Sequence, residues 1–290
     1  MLRVLEIIVP VFGIVLIGFL YGRRRAADMT TANRINVVLF TPALVFFVLS
    51  EKVTAGTDLL LPALGAAAVV LGSGLLCWPV GRLMGFRART LVPPVMFNNS
   101  GNMGLPLAVF AFGEAALPVA VILFVVELAL HFTVGTWMLS GRLHPVDLLR
   151  NPILLATALG LWAQFGGWHA PEIIAPGVEM LAEVAVPLML VSLGIRLTDV
   201  NLADWRIGVT GALLTPVTGV LAALGFIALV PLPGELAALL ILFGALPPAV
   251  LNYILSEHYD QDPAQVASIV VLGNLAALVV IPLALWWVVA

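Results

Sequence analysis

Runs of about twenty apolar residues recur along this 290-residue chain, and no other feature limits its fold as severely. "LPVAVILFVVELALHFTVGTWML" (117–139) is one of them. That length matches the hydrocarbon thickness of a bilayer, in which a backbone must satisfy its own amides and carbonyls, so each run reads as a membrane-spanning helix. Charged residues make up 10% of the chain, against about 25% in a soluble domain. With 62% hydrophobic residues and a mean hydropathy of +1.12, the chain is expected to be a polytopic, all-α membrane protein. The opening run is not a signal peptide in form, because "RRR" (23–25) follows it instead of preceding it, and a retained first helix is expected. The single cysteine, Cys77, lies in an apolar run and excludes an internal disulfide.

Breaks at glycine, proline and charged clusters divide the chain into ten spans, at 4–21, 33–50, 59–83, 91–112, 115–140, 150–168, 172–197, 206–231, 235–258 and 263–289. Eleven arginines, from Arg23 to Arg206, fall in or beside the connections after odd-numbered spans, whereas only Arg3 and Lys52 fall on the opposite side. Basic connections stay cytoplasmic, which predicts that both termini are outside the cytoplasm. Trp286 and Trp287 suit an interfacial belt at the outer end of span ten, and "RRR" suits membrane-lipid headgroups. Nothing in the pattern points to nucleic acid.

The chain also repeats weakly. "TPALVFFVLSEKV" (41–53) resembles "VPLMLVSLGIRLT" (186–198) at an offset of 187 − 42 = 145, half the chain length. Five spans per half is an odd number, so the second half must enter the membrane inverted. Two inverted repeats are predicted, residues 1–145 with spans one to five and 146–290 with spans six to ten. Each fourth span carries an interruption, "FNNSGNMGLPL" (97–107) in one half and "GALPPAVLN" (244–252) in the other. At this offset Asn102 stands opposite Pro247. Paired broken helices of inverted repeats point to a transporter's midplane binding site.

Those interruptions have the chemistry of a small anionic or polar solute. Pro93, Pro94, Pro106, Pro247 and Pro248 remove amide donors, while Gly101 and Gly104 are expected to relax the backbone where it unwinds. Asn98, Asn99, Asn102 and Asn252 offer amide donors and acceptors, and half-helix N-termini add partial positive charge. The predicted substrate-binding set is Asn98, Asn99, Gly101, Asn102, Pro247, Pro248 and Asn252. The same asparagines can also serve only to cap the broken helices.

Glu127 and His131, four apart in span five, share one helical face in mid-membrane. An intramembrane carboxylate is by default a functional group. Glu127 can carry a proton with His131, or ligate Na+ together with Asn98, Asn102 or Asn274 of span ten. H+ or Na+ is therefore the candidate coupling ion; no cofactor and no firm metal site is expected. Glu179 and Glu183 read as a solvated face at the outer start of span seven, and Glu257 and His258 as the end of span nine. Glu127 and His131 could begin a zinc site, but a zinc hydrolase needs a third ligand, and His144, His169 and His258 are expected at the surfaces. No enzyme is expected. A channel or uncoupled facilitator is the alternative to a coupled carrier, and paired breaks favour alternating access.

"NNSGNMGLPLAVFAFGEAALPVAVILFVVE" (98–127) and "LPPAVLNYILSEHYDQDPAQVASIVVLGNLAALVVIPLALWWVV" (246–289) resemble the auxin efflux carrier family. The resemblance implies ten helices with crossed fourth and ninth helices, as in bile-acid sodium symporters and Na+/H+ antiporters. It implies a scaffold of spans one, two, six and seven and a mobile transport domain of spans three to five and eight to ten, hence an elevator motion. It further implies efflux of organic anions such as auxin-like carboxylates or dicarboxylates, a homodimer through scaffold helices, and, since the plant carriers' long central loop is lacking, a compact member of a bacterial inner membrane.

Overall fold

A computed structural model describes residues 2–25, 28–53, 57–143, 145–198 and 204–289, and in it helix follows helix. In chain order these are α1 (Leu2–Arg24), α2 (Thr30–Lys52), α3 (Leu60–Leu83), α4 (Ala88–Met96), α5 (Ser100–Phe112), α6 (Glu114–Ser140), α7 (Pro152–Gly166), α8 (Ala175–Arg196), α9 (Trp205–Leu229), α10 (Gly234–Ala245), α11 (Leu251–His258) and α12 (Pro263–Val289), with a short unnumbered helix, Pro145–Arg150, joining α6 to α7. All but α4, α5, α7, α10 and α11 are long and apolar enough to cross a membrane, seven in number among the described residues. The protein is an integral membrane protein. The expected spans agree with these helices to within three residues at either end, and the fourth and ninth are each two helices in tandem.

Local sequence explains where helices stop. The Asn151 side chain accepts from the amides of Ile153 (3.0 Å) and Leu154 (3.3 Å), with Pro152 at the first helical position, and so opens α7. Gly167, at φ 64°, closes it in the left-handed conformation that glycine adopts without strain. Four turns are wound as π-helix, at Asn36–Phe40, Val48–Lys52, Ser100–Gly104 and His131–Gly135. Such turns cluster at functional sites, and three of these four border the cavity described below.

Hydrophobic burial cannot draw helices together in lipid, so close packing must. The buried stripe of α1 (Val4, Ile7, Val11, Val15, Gly18) lies on α8. There a Cβ on Gly18 would strike the carbonyl of Val191, and one on Gly194 that of Val15, so the two backbones are in direct contact. Gly219 of α9 and Gly244 of α10 meet in the same manner. The helices associate as α1 with α8 and α2 with both α7 and α8, while α9 gathers α3, α4, α10 and α12, and α3 carries α4 and α6.

Candidate functional site

The two breaks meet inside the protein. α4 ends at Met96 and the backbone turns extended at Phe97 (φ −102°, ψ 102°). α10 ends at Ala245, and Leu246 is extended (φ −63°, ψ 146°), as expected of a residue before proline. The extended stretches cross antiparallel. Asn99 N–H donates to the Pro247 carbonyl at 2.7 Å, and Ala249 N–H to the Phe97 carbonyl at 3.0 Å, forming a lone bridge between Asn98 and Pro248.

Asparagine side chains satisfy most of what the main chain leaves over. Asn98 Nδ2 donates to the Phe243 carbonyl at 2.7 Å. Asn252 Nδ2 donates to the carbonyls of Phe97 (2.8 Å) and Ala249 (2.9 Å). Asn274 Nδ2 reaches the carbonyls of Pro248 (3.0 Å) and Val270 (2.8 Å), while its oxygen accepts from Asn99 Nδ2 at 3.3 Å. Four asparagines therefore clamp the crossing. Asn102 differs, making no side-chain hydrogen bond among the described residues.

Beside the crossing lies a cavity of about 220 Å³, walled by the Ser100–Gly104 turn and by α2, α6, α8 and the start of α11. Glu127 (3% exposed) accepts from the Ser100 hydroxyl and from the Asn98 backbone amide. His131 (2% exposed) stacks on Phe97, with ring centroids 4.1 Å apart and planes 5° from parallel. Asn36 Oδ1, Thr41 Oγ1, Asn98 Oδ1 and His131 Nε2 all belong to cavity-lining residues, and none of the four atoms has a close hydrogen-bond partner among the described residues, although the His131 ring interacts with the Asn252 side chain. An unpaired buried polar atom costs about 1–3 kcal/mol. Four around one cavity mark it as a place for a polar occupant.

Of the residues predicted from sequence, Asn98, Asn99, Gly101, Asn102, Glu127 and His131 line this cavity. Pro247, Pro248, Asn252 and Asn274 stand behind its wall, holding the breaks. The glycines act differently from expectation. Gly104 is helical (φ −65°, ψ −48°), and the unwinding lies upstream at Phe97–Asn99. Gly101 and Gly104 instead let neighbours close in, since a Cβ at Gly101 would lie 3.0 Å from the Phe124 ring and one at Gly104 2.9 Å from Leu246 Cδ1.

Sequence reasoning missed the opposite wall. Asn33, Asn36 and Thr41 of α2 and Ser192 and Arg196 of α8 also line the cavity, and the Ser192 hydroxyl donates to Asn33 Oδ1 at 2.5 Å. The signal was available in "NRIN" (33–36), two asparagines one turn apart in an apolar run, and in Ser192 and Arg196 at helical spacing. Ser100, the partner of Glu127, was equally legible only as part of a polar cluster. Glu179 and Glu183 are exposed, as is Glu257 at the end of α11. Among the described residues no three His, Cys, Asp or Glu side chains gather as a metal site; His169 instead contacts Glu51 at 3.3 Å, and His144 lies outside the described residues.

Comparison with known proteins follows the same line. The profile of a family described as membrane transport protein matches residues 138–285, just over half of the chain. A Rhizobium meliloti protein provisionally named a malonate transporter is 28% identical, over 95% of this chain and 83% of its own length. An uncharacterized transporter of Methanocaldococcus jannaschii is 23% identical, over 98% of both chains. Auxin efflux carrier component 8 of Arabidopsis thaliana is 26% identical, over 45% of this chain and 38% of its own.

Proposed function

This chain belongs to the membrane transport protein family, and on that premise we propose that it is a secondary carrier of small organic anions that works by elevator-type alternating access. The observation that carries the reading is the crossing itself. Two extended breaks meet beside a cavity to which Asn102 brings a side-chain amide with no bond among the described residues and Thr41 an unpartnered hydroxyl, donors from which a carboxylate can accept. Asn98, Asn99, Gly101 and Asn102 would meet the solute, with Pro247, Pro248 and Asn252 shaping the break behind them. The names of the relatives, a malonate transporter and an auxin efflux carrier, favour carboxylates.

The inverted repeat is part of this proposal and rests on the sequence, with an odd number of spans per half and an interrupted fourth span in each. Helix packing supports a scaffold of α1, α2, α7 and α8 and a transport domain of α3–α6 and α9–α12, because each set associates chiefly within itself. The cavity reaches Arg196 at the basic, cytoplasmic end, while Lys52 and Glu114 meet at 3.7 Å across the two sets at the other end. This is an inward-facing arrangement in a bacterial inner membrane, with both termini outside.

Glu127 is the coupling residue, taking a proton or joining Ser100 and Asn98 oxygens around Na+; His131 and Asn274 support it. A homodimer through the scaffold helices is part of the same proposal. The test is thermal stabilisation of the purified protein by a panel of small organic acids, with and without Na+ at pH 5.5 and 7.5, since a ligand of the native state raises its stability by mass action. A carboxylate hit is expected. Stabilisation by none of the acids overturns the anion reading.

A further inference from the structure

The cavity holds one Lys or Arg side chain among its described lining residues, Arg196, contributed by α8 from the wall opposite the crossing. In the sequence it reads as a topology determinant like its neighbours. Its position says more. Arg196, Ser192 and Met189 occupy successive turns on the cavity side of α8, so the lining runs about 10 Å along that helix. α8 packs against the Ser100–Gly104 turn. The polar break and the guanidinium therefore bound the same space from two sides. At the Arg196 end, Ser192 uses the Asn33 oxygen, and the Asn33 amide nitrogen keeps its donors without a bond among the described residues. Tyr253 of α11, whose hydroxyl donates to Glu257 at 3.2 Å, stands within electrostatic range of the guanidinium.

The charges then decide what fits. The Asn102 amide and the helix end at the break serve one carboxylate. A second carboxylate in the same cavity would face the Glu127 carboxyl, neutral polar groups such as Asn36 and Asn151, and the apolar Phe132 and Ile153, none of which offsets its charge, unless a cation received it. A guanidinium does so with two parallel N–H donors matched to carboxylate geometry. We propose that Arg196 is a ligand-binding residue that takes the second carboxylate, and that it makes the cavity selective for dicarboxylates over monocarboxylates. The proposal rests on the anion-carrier reading and goes beyond it in naming the residue that discriminates between the charge classes.

The test compares malonate with propionate, acids of equal carbon count that differ by one carboxylate, by titration calorimetry on the purified full chain. Wild type should bind malonate at least about tenfold more tightly than propionate. In Arg196→Gln malonate should weaken at least about tenfold and propionate less than about threefold. Arg196→Lys keeps the charge but loses the fork, and should fall between. Arg89→Gln, a basic residue away from the cavity lining, should change neither. Equal loss for both acids, or no loss, in Arg196→Gln overturns the proposal; if that variant does not fold, unchanged selectivity in Arg196→Lys does so. A wild type that binds both acids equally overturns the selectivity while leaving an anion carrier. One that binds neither overturns both readings.

Discussion

Alanine at Asn102 and alanine at Asn274 should separate the two tasks that asparagines perform at the crossing. Asn274 bridges α12 to both breaks, through the Pro248 carbonyl and Asn99 Nδ2, and is 3% exposed. Its removal breaks two interhelical hydrogen bonds and one within α12 to Val270. Interhelical side-chain bonds in membranes contribute about 0.6 kcal/mol on average and about 1.7 at most. Two of them amount to about 1–3 kcal/mol, which lowers Tm by roughly 2–12 °C at about 2–4 °C per kcal/mol. Asn102 makes no such bond, so Asn102→Ala should unfold within about 1 °C of wild type. The order reverses for ligand. Asn102→Ala should lose the stabilisation that a carboxylate gives wild type, whereas Asn274→Ala should keep part of it from a lower baseline. Thermal unfolding in detergent, with and without the acid, reads both quantities. Equal destabilisation by the two substitutions, or full ligand stabilisation in Asn102→Ala, would refute the division.

Three further outcomes follow from named contacts. Gly194→Val drives a side chain into the Val15 carbonyl, whereas nothing lies within 4 Å of a Cβ at Gly13; the first should cost at least about 2 kcal/mol and the second little, as read by Tm and monodispersity. Asn252→Ala leaves the Phe97 carbonyl with one donor instead of two and should lower Tm by a few degrees, and an unchanged Tm would deny that Asn252 clamps the break. Glu127→Gln removes the one carboxylate among the described residues of the cavity lining, so gradient-driven uphill accumulation in proteoliposomes should cease; accumulation that persists would remove Glu127 from coupling.

Much of this was legible because hydropathy and breaks act locally. Every span follows from a run of apolar residues, and Pro247–Pro248 compels an extended backbone wherever the helix lies. The asparagine roles were not separable, because capping and binding ask for the same side chain. Only position relative to a partner distinguishes Asn98, bonded to Phe243, from Asn102, whose side chain makes no hydrogen bond among the described residues. The α2 and α8 wall was hidden for a related reason. Asn33, Ser192 and Arg196 sit near helix ends, where polar residues are expected in any membrane helix, and only the fold turns them toward the crossing.

Asymmetry between the two breaks accounts for the remaining pattern. Both border the cavity, one through residues 98–102 and the other through residues 249–251. Asn252 holds the carbonyls of Phe97 and Ala249 and does not line the cavity, whereas Asn102 lines it and its side chain makes no hydrogen bond among the described residues. The second break is therefore held by its own asparagine, and the first leaves one asparagine for a ligand. On the elevator reading proposed above, carrying that ligand across would require α8 and α2, which bring Arg196 and Asn36 to the cavity, to part from the breaks; the direct contact of α1 with α8 and the separate cluster around α9 are the two bodies between which that parting would occur.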